Sequence, residues 1–293
     1  AGKPQAVAEF NFPWPNEYRC EGLLMATAYT CLQDWDIFLL FSYGGSEESL
    51  SMFRSGSDPA RWGEFPAAAL MFHRQDVAPA RNEVHVVHTM EDALTLRPHT
   101  RHAKYTHYRF LTFLSKVRNV FVEGVHDSSA DMVLASGLSA DAKIKGTTNI
   151  LRFPHLPWAE WAYSKFVKAA NRWGLPGYGQ PTSSDEKQFD SDTGELSLNY
   201  GDGLLTINAE RTKSAVGYLS KVEAIDLDGL NVCCGTGFAA ITATSLDGLP
   251  IGESRHLLVT AVGRVENTGQ GFWPPTQQQA RWSHTSWMLP AEG

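Results

Sequence analysis

The 293-residue sequence predicts an α+β protein, mostly β, with a partial α/β segment followed by an antiparallel β-sandwich-like domain. Residues 1–80 alternate between apolar runs of strand length and stretches of helical spacing, which is the sign of α/β architecture. A Gly-, Pro- and Ser-rich stretch at 174–186 is the best linker candidate. Short strands separated by turns follow it, and such a series favours a sandwich or an open barrel.

The α/β segment contains two predicted strands and two predicted helices. A short apolar run lies within 4–10, and the strand predicted there has the acidic Glu9 at its end. A second continuous apolar run occupies 37–43. Continuous runs of this length are typical of parallel strands that are covered on both faces. Apolar residues recur at helical spacing over 17–33, and an Asp-Pro pair opens a second helix over 58–73.

The rest of the chain divides into a mixed α/β connecting region at 81–180 and a β-sandwich-like domain at 181–293. In the connecting region we predict a strand at 83–88 and a helix that ends at Trp173 before Gly174. The β domain begins with a hairpin over 195–208 that turns at a Gly-Asp-Gly sequence. Its further predicted strands are 214–219, 238–244 and 256–265.

Composition and charge exclude several classes of function. With 25 basic and 32 acidic residues the net charge is -7, which does not fit a general binder of nucleic acid or anionic membranes. No run approaches the length of a membrane-spanning helix, and no signal peptide precedes the first strand. Because the chain starts without Met, we expect processing or a fragment. Its localisation stays open, with a secreted or periplasmic site favoured.

Several phrases of the sequence carry a resemblance to a known family. They are residues 2–11 (GKPQAVAEFN), 15–21 (PNEYRCE), 32–43 (LQDWDIFLLFSY), 67–79 (AAALMFHRQDVAP), 191–195 (SDTGE), 211–218 (RTKSAVGY) and 258–269 (LVTAVGRVENTG). Together they resemble the C-terminal part of a retaining (β/α)8-barrel glycoside hydrolase of the cellulase-like superfamily, followed by its β-rich C-terminal domain. Residues 1–80 would then be the barrel-end-like segment.

The resemblance implies a site and a substrate class. It implies that Glu9, at the end of the seventh barrel strand, is the catalytic nucleophile, since barrel active sites lie at the carboxyl ends of the strands. Retaining hydrolysis uses two carboxyl groups about 5 Å apart. Side chains suited to hydrogen bonding or stacking against a sugar ring are Asn11, Trp14, Trp35 and Tyr43. The expected substrate is a β-linked plant polysaccharide or oligosaccharide.

The chain departs from this family in one respect. The first six strands of such a barrel have no counterpart, and with them the acid/base residue that ends the fourth strand. A partner therefore has to cover the two remaining strands, and we expect a missing upstream barrel half or a homo-oligomer. The nearest carboxylates in sequence that could serve as proton donor are Glu17, Glu21, Asp34 and Asp36. If none lies close to Glu9, a non-catalytic carbohydrate-binding or accessory module is the better reading.

Two other patterns could indicate a binding site but are more simply explained by surface or packing roles. Five histidines fall within 85–107, and the weak candidates for a structural divalent metal are His85, His88, His99 and His102. On a strand His85 and His88 would point to opposite faces, so surface or packing roles are favoured and no cofactor is expected. Basic and aromatic residues interleave over 97–118, but the acidic chain favours a strand pair over nucleic-acid binding.

Overall fold

The structure is a computed structural model that describes residues 4–14, 16–44, 56, 58–94, 108–155, 159–179, 187–235, 237–266, 271–272 and 288–289. It is a mixed α/β fold with about 25% helix and 33% strand. In the described part of the chain, no helix is both long and apolar enough to cross a membrane.

The N-terminal segment forms the predicted alternation of strands and helices. Its elements are β1 (Ala6–Phe10), α1 (Arg19–Leu32), β2 (Ile37–Leu40), α2 (Pro59–Trp62) and α3 (Phe65–Arg74). Strands β1 and β2 pair in parallel. The Asp58 side chain caps α2 by accepting from the Ala60 N–H at 3.1 Å, and the predicted second helix divides into α2 and α3 around Gly63.

The continuous apolar sequence of β2 predicts that both faces of the strand are covered, but in the structure one face is exposed. Phe38 and Leu40 pack against the core, whereas Ile37 is 43% exposed and Leu39 52% exposed. A continuous apolar run shows that both faces suit burial, but it does not show what is available to cover them.

The connecting region is a parallel α/β unit with more strands than the sequence pattern predicts. Its elements are β3 (Glu83–Thr89), α4 (Met90–Leu94), α5 (Leu111–Leu114), β4 (Lys116–Val122), β5 (Val125–Asp127), β6 (Met132–Ser136), β7 (Lys143–Lys145), β8 (Ile150–Phe153) and α6 (Ala159–Arg172). A four-stranded parallel sheet has the order β4-β3-β6-β8, and β5 pairs with β7.

The two faces of this parallel sheet are covered differently. Val86 and Leu134 pack with Phe166 of α6 on one face, and Val133 packs with Ala142 beside β7 on the other. Tyr108 and Phe110 are buried in the first of these clusters. In the described part of 97–118 the chain is a short helix followed by β4, which is an edge strand of the parallel sheet, so the predicted strand pair is wrong there.

The C-terminal region forms a six-stranded antiparallel sheet of order β16-β15-β12-β11-β10-β9. Its strands are β9 (Gln188–Asp190), β10 (Leu196–Asn199), β11 (Leu204–Asn208), β12 (Thr212–Gly217), β15 (Ala239–Ser245) and β16 (Leu257–Val262). Two short antiparallel strand pairs complete the described part: β13 (Ile225–Asp226) with β14 (Asn231–Val232), and β17 (Gly271–Phe272) with β18 (Met288–Leu289). All the strands predicted here are confirmed, including the β10–β11 hairpin.

Two glycines make that hairpin fit its neighbour. Gly203, in the turn, has a φ of 67°, and Gly217 at the end of β12 has a φ of 132°. A Cβ on Gly217 would lie 2.0 Å from the Gly203 carbonyl oxygen, so only glycine permits this approach.

The N-terminal segment and the antiparallel sheet contribute side chains to one hydrophobic cluster. Leu24 and Leu32 of α1 and Met71 of α3 share one cluster with Ile207 of β11 and Val216 of β12. On this face the layer covering the antiparallel sheet is helical, and the described residues do not confirm a sandwich. Apolar side chains of both segments are needed to complete the core.

A buried ion pair joins the start of α1 to the segment before α2. Arg19 Nε lies 2.7 Å from Asp58 Oδ2, and both side chains are 1% exposed. The Arg19 guanidinium also donates to the Asn16 carbonyl at 2.7 Å and to the Val265 carbonyl, beyond β16, at 3.0 Å. The neighbouring Arg61 donates to the Phe12 carbonyl at 2.8 Å. One cluster of charges therefore fixes four separate stretches of chain.

Replacing Arg19 by Met should lower the free energy of unfolding by about 3 kcal/mol, because Asp58 would stay buried without its main partner. Urea unfolding followed by tryptophan fluorescence measures the change. The control is Arg264→Met, which breaks the exposed Arg264–Glu17 pair and should leave stability nearly unchanged. Equal urea midpoints for the two variants would contradict the role given to Arg19.

Glu64 is a buried carboxyl group between α3 and the antiparallel sheet. It is 0% exposed, and its Oε2 accepts from Thr260 at 2.7 Å and from Thr242 at 3.2 Å. Burial raises the pKa of Glu64 to about 7. The folded pKa therefore exceeds the unfolded one, so folding favours the protonated form.

The contribution of Glu64 to the free energy of unfolding should fall as pH rises from about 4.5 through 7, because the protonated form that folding favours is lost over that range. We expect Glu64→Gln to remove roughly 2 kcal/mol of this pH dependence between pH 5 and 8. Urea unfolding at several pH values measures it, with the exposed Glu223→Gln as control. A pH profile shared by wild type and Glu64→Gln would rule the assignment out.

Candidate functional site

The candidate site lies at the carboxyl edge of the β1–β2 sheet. Because the strands are parallel, their carboxyl ends share one edge, and the N-terminus of α1 is at the same edge. Glu9 is exposed, one residue before the end of β1, where Phe10 pairs with Leu40. No other residue of the described chain forms a hydrogen bond or ion pair with its carboxylate. The group is available to a molecule approaching this edge.

An aromatic cluster lies beyond the carboxyl end of β2. Tyr43 is 81% exposed, and its ring meets that of Trp62 edge to face at 5.7 Å. Trp62 in turn contacts the Phe65 ring at 4.9 Å. These three rings border a groove of about 290 Å³ between β2, α1 and α3. Sequence reasoning found Tyr43 but missed Trp62, which is distant in sequence and joins it only when the chain folds.

The other predicted sugar-contacting residues do not gather around Glu9. Trp14 is 5% exposed, so its ring faces belong to the interior. Asn11 is half-buried in the loop that follows β1. Trp35 precedes β2, at the opposite edge of the sheet, and borders a second groove of about 470 Å³ with Phe10 and Met25. Of the predicted set, Tyr43 best fits an exposed stacking surface at the edge of Glu9.

Two of the four candidate proton donors lie at the wrong edge. Asp36 accepts the Gln5 N–H at 2.8 Å, and Asp34 pairs with Lys116 at 2.5 Å. Four residues of strand separate Gln5 from Glu9, which is about 13 Å. This distance exceeds the separation of the two carboxyl groups in either retaining or inverting enzymes.

The other two candidates lie near the start of α1, at the same edge as Glu9. Glu17 forms an exposed ion pair with Arg264 at 2.8 Å. Glu21 is half-buried, and burial raises its pKa above the ordinary value, as a general acid requires. Among the four, Glu21 has the environment best suited to proton donation.

The described histidines do not form a three-ligand site. Among the described residues no group of three or more His, Cys, Asp or Glu side chains could hold a metal ion. His85 and His88 lie on opposite faces of β3, as strand alternation predicts: His85 faces His126, and His88 faces Asn119 of β4. His99 and His102 lie outside the described residues.

The four-stranded parallel sheet offers a second edge of the kind where α/β proteins bind ligands. Its order changes direction between β3 and β6, and ligands often bind beyond the carboxyl ends at such a point. Here Ser139 donates to Asp92 at 2.5 Å and accepts the Thr89 N–H at 2.9 Å. These polar groups satisfy one another, so the described part of this edge is a closed network.

Comparisons with known proteins give no family for the chain. No protein-family model matches it, and neither a curated protein nor a solved structure matches it. The resemblance to glycoside hydrolases therefore depends on the quoted phrases alone.

Proposed function

We propose that the chain belongs to a retaining glycoside hydrolase that acts on β-linked plant polysaccharide or oligosaccharide, with Glu9 as the nucleophile. The observation that carries the proposal is the exposed Glu9 carboxylate, free of other described partners, at the carboxyl end of a parallel strand. The exposed Tyr43 ring at the same edge adds a surface on which a sugar ring could stack.

Glu9 would act by covalent catalysis. Its carboxylate attacks the anomeric carbon while an acid protonates the departing glycosidic oxygen, and a glycosyl ester of Glu9 results. The conjugate base of that acid then takes a proton from water, and the water attacks the anomeric carbon and releases Glu9. Of the four candidate proton donors, Glu21 has the edge and the environment that best suit the second role.

A further α/β layer would complete the site. In the described residues β1 and β2 pair only with each other, so each leaves one edge open. Among the described residues, Ile37 and Leu39 expose an apolar face of β2 beside those edges. We propose that an upstream barrel half, or failing that a second copy of the chain, adds parallel strands here. Such a layer would also be a source of the acid/base carboxyl group.

A carbohydrate-binding module is the second candidate function. It is favoured because three of the four candidate proton donors are poorly placed to act with Glu9. Glu17 is paired with Arg264, and Asp34 and Asp36 lie at the opposite edge of the sheet. A binding module would use the Tyr43 and Trp62 rings and would need no acid.

An activated 2-deoxy-2-fluoro glycoside tests Glu9 without requiring an acid, because its dinitrophenolate group departs unprotonated. We expect the wild-type chain to gain the mass of one glycosyl group on the peptide that contains Glu9. Glu9→Gln should lower labelling on the order of 10⁴-fold, since the amide is a poor nucleophile. Intact-protein and peptide mass spectrometry measure both results.

The matched control for that experiment is Glu17→Gln, which changes an exposed carboxylate at the same edge and should label like wild type. Hydrolysis of a panel of β-glucans, mannans and xylans by the same proteins runs in parallel. Absence of both labelling and hydrolysis in the wild-type chain, or labelling that persists in Glu9→Gln, would refute Glu9 as nucleophile.

Tyr43→Ala should weaken binding of β-linked oligosaccharides about tenfold, whether or not the chain hydrolyses them, because an aromatic stacking surface is lost. Isothermal titration calorimetry with Glu9→Gln as background measures binding without turnover. Tyr200→Ala, which removes a 44% exposed ring from another surface, is the control. Equal affinities in the two variants would remove Tyr43 from the site.

A further inference from the structure

Three polar atoms converge on the face of β3 that lies against β5. His85 Nδ1 is 3.1 Å from His126 Nε2 and 3.1 Å from Ser128 Oγ. His85 and His126 are each 8% exposed and Ser128 is 4% exposed, so the group lies just beneath the surface. His126 belongs to β5, and Ser128 follows the end of that strand.

A single hydrogen bond does not use all the contacts of His85 Nδ1. An imidazole nitrogen either accepts through one lone pair or donates one proton. His85 Nδ1 can therefore make one good hydrogen bond, yet it has two neighbours at the same distance. A cation could instead be bound by the lone pairs of both imidazole nitrogens at once, with no shared proton.

The spacing of the two imidazole nitrogens also suits a metal ion. Zinc–nitrogen bonds are about 2.0–2.1 Å, so two nitrogens in a tetrahedral site are roughly 3.3 Å apart. The distance from His85 Nδ1 to His126 Nε2 is 3.1 Å. Only a small movement of either ring would admit the ion.

The second ring nitrogen of His85, Nε2, contacts a carboxylate, as the second nitrogen of a metal-binding histidine commonly does. His85 Nε2 lies 2.9 Å from Glu83 Oε1, and Arg118 Nε holds the same carboxylate oxygen at 2.7 Å. A carboxylate that accepts from one ring nitrogen fixes the proton there and leaves the other nitrogen as a lone-pair donor. Glu83 thus orients His85 Nδ1 toward His126.

We propose that His85 Nδ1 and His126 Nε2 bind a divalent transition-metal ion of the zinc class. Water fills the remaining positions, and the Ser128 hydroxyl hydrogen-bonds to a bound water. Imidazole is a preferred ligand of Zn²⁺, Cu²⁺ and Ni²⁺. The ion ties β5 to the parallel sheet, so its role is structural and independent of the hydrolase proposal. His88 takes no part, because it lies on the other face.

Zinc titration of the chelator-treated full chain tests this site. We expect one Zn²⁺ to bind by calorimetry and to raise the unfolding temperature, because the ion binds the folded form. His85→Ala and His126→Ala should each weaken binding at least tenfold, and Glu83→Ala should weaken it 10- to 100-fold. His256→Ala changes an exposed histidine of the antiparallel sheet region and should bind like wild type.

Diffraction at the zinc absorption edge gives a readout that does not depend on how the variants fold. The expected anomalous peak lies within bonding distance of His85 Nδ1 and His126 Nε2 in the wild-type chain. The proposal fails if the folded wild type binds no zinc, if the peak lies elsewhere, or if folded His85→Ala and His126→Ala bind zinc as wild type does.

Discussion

The rest of the structure depends on covering helix α1 from every side. None of its residues is exposed, so the helix needs one sheet against one side and another layer against the opposite side. The antiparallel sheet covers part of it through Ile207 and Val216, and β2 covers another part through Phe38. Burial of Cys20 and Cys31 inside this packing raises the pKa of both thiols to about 12, which keeps them protonated. Helix α1 therefore belongs to the same hydrophobic cluster as the antiparallel sheet.

Polar side chains then fix the layers around α1 in register. Arg19 at its start binds Asp58 and reaches the Val265 carbonyl after β16. Gln33 at its end donates to the Thr112 and Ser115 carbonyls and accepts the Val117 N–H, which joins the helix to the parallel sheet. Most of these bonds are made with backbone groups, so the side chains at the two ends of α1 link the helix directly to the backbone beside distant strands.

The same constraint shapes the candidate site. Grooves of about 290 and 470 Å³ flank α1 on either side of the β1–β2 pair, and both have mainly apolar walls. Strand pairs with open edges, an uncovered apolar face and flanking grooves are what one section of a larger parallel sheet would show. The proposed further layer explains all three together, and it places Glu9 at an edge shared with that layer. The proposed zinc site lies in the other α/β unit and needs no such layer.

The sequence by itself determined the local elements: the β1–α1–β2 alternation, the helix start at Asp58 and the antiparallel strands all follow from periodicity and turn residues within a few positions. It missed most of the parallel sheet, since short runs such as 132–136 have no alternation to distinguish strand from buried helix. Only the tertiary structure decided that Trp14 is interior and that Trp35 lies at the edge of the sheet opposite Glu9. It also decided the contacts of Tyr43 with Trp62 and of His85 with His126. Those outcomes depend on which distant segments pack together, and side-chain spacing along one chain segment carries no information about its partner.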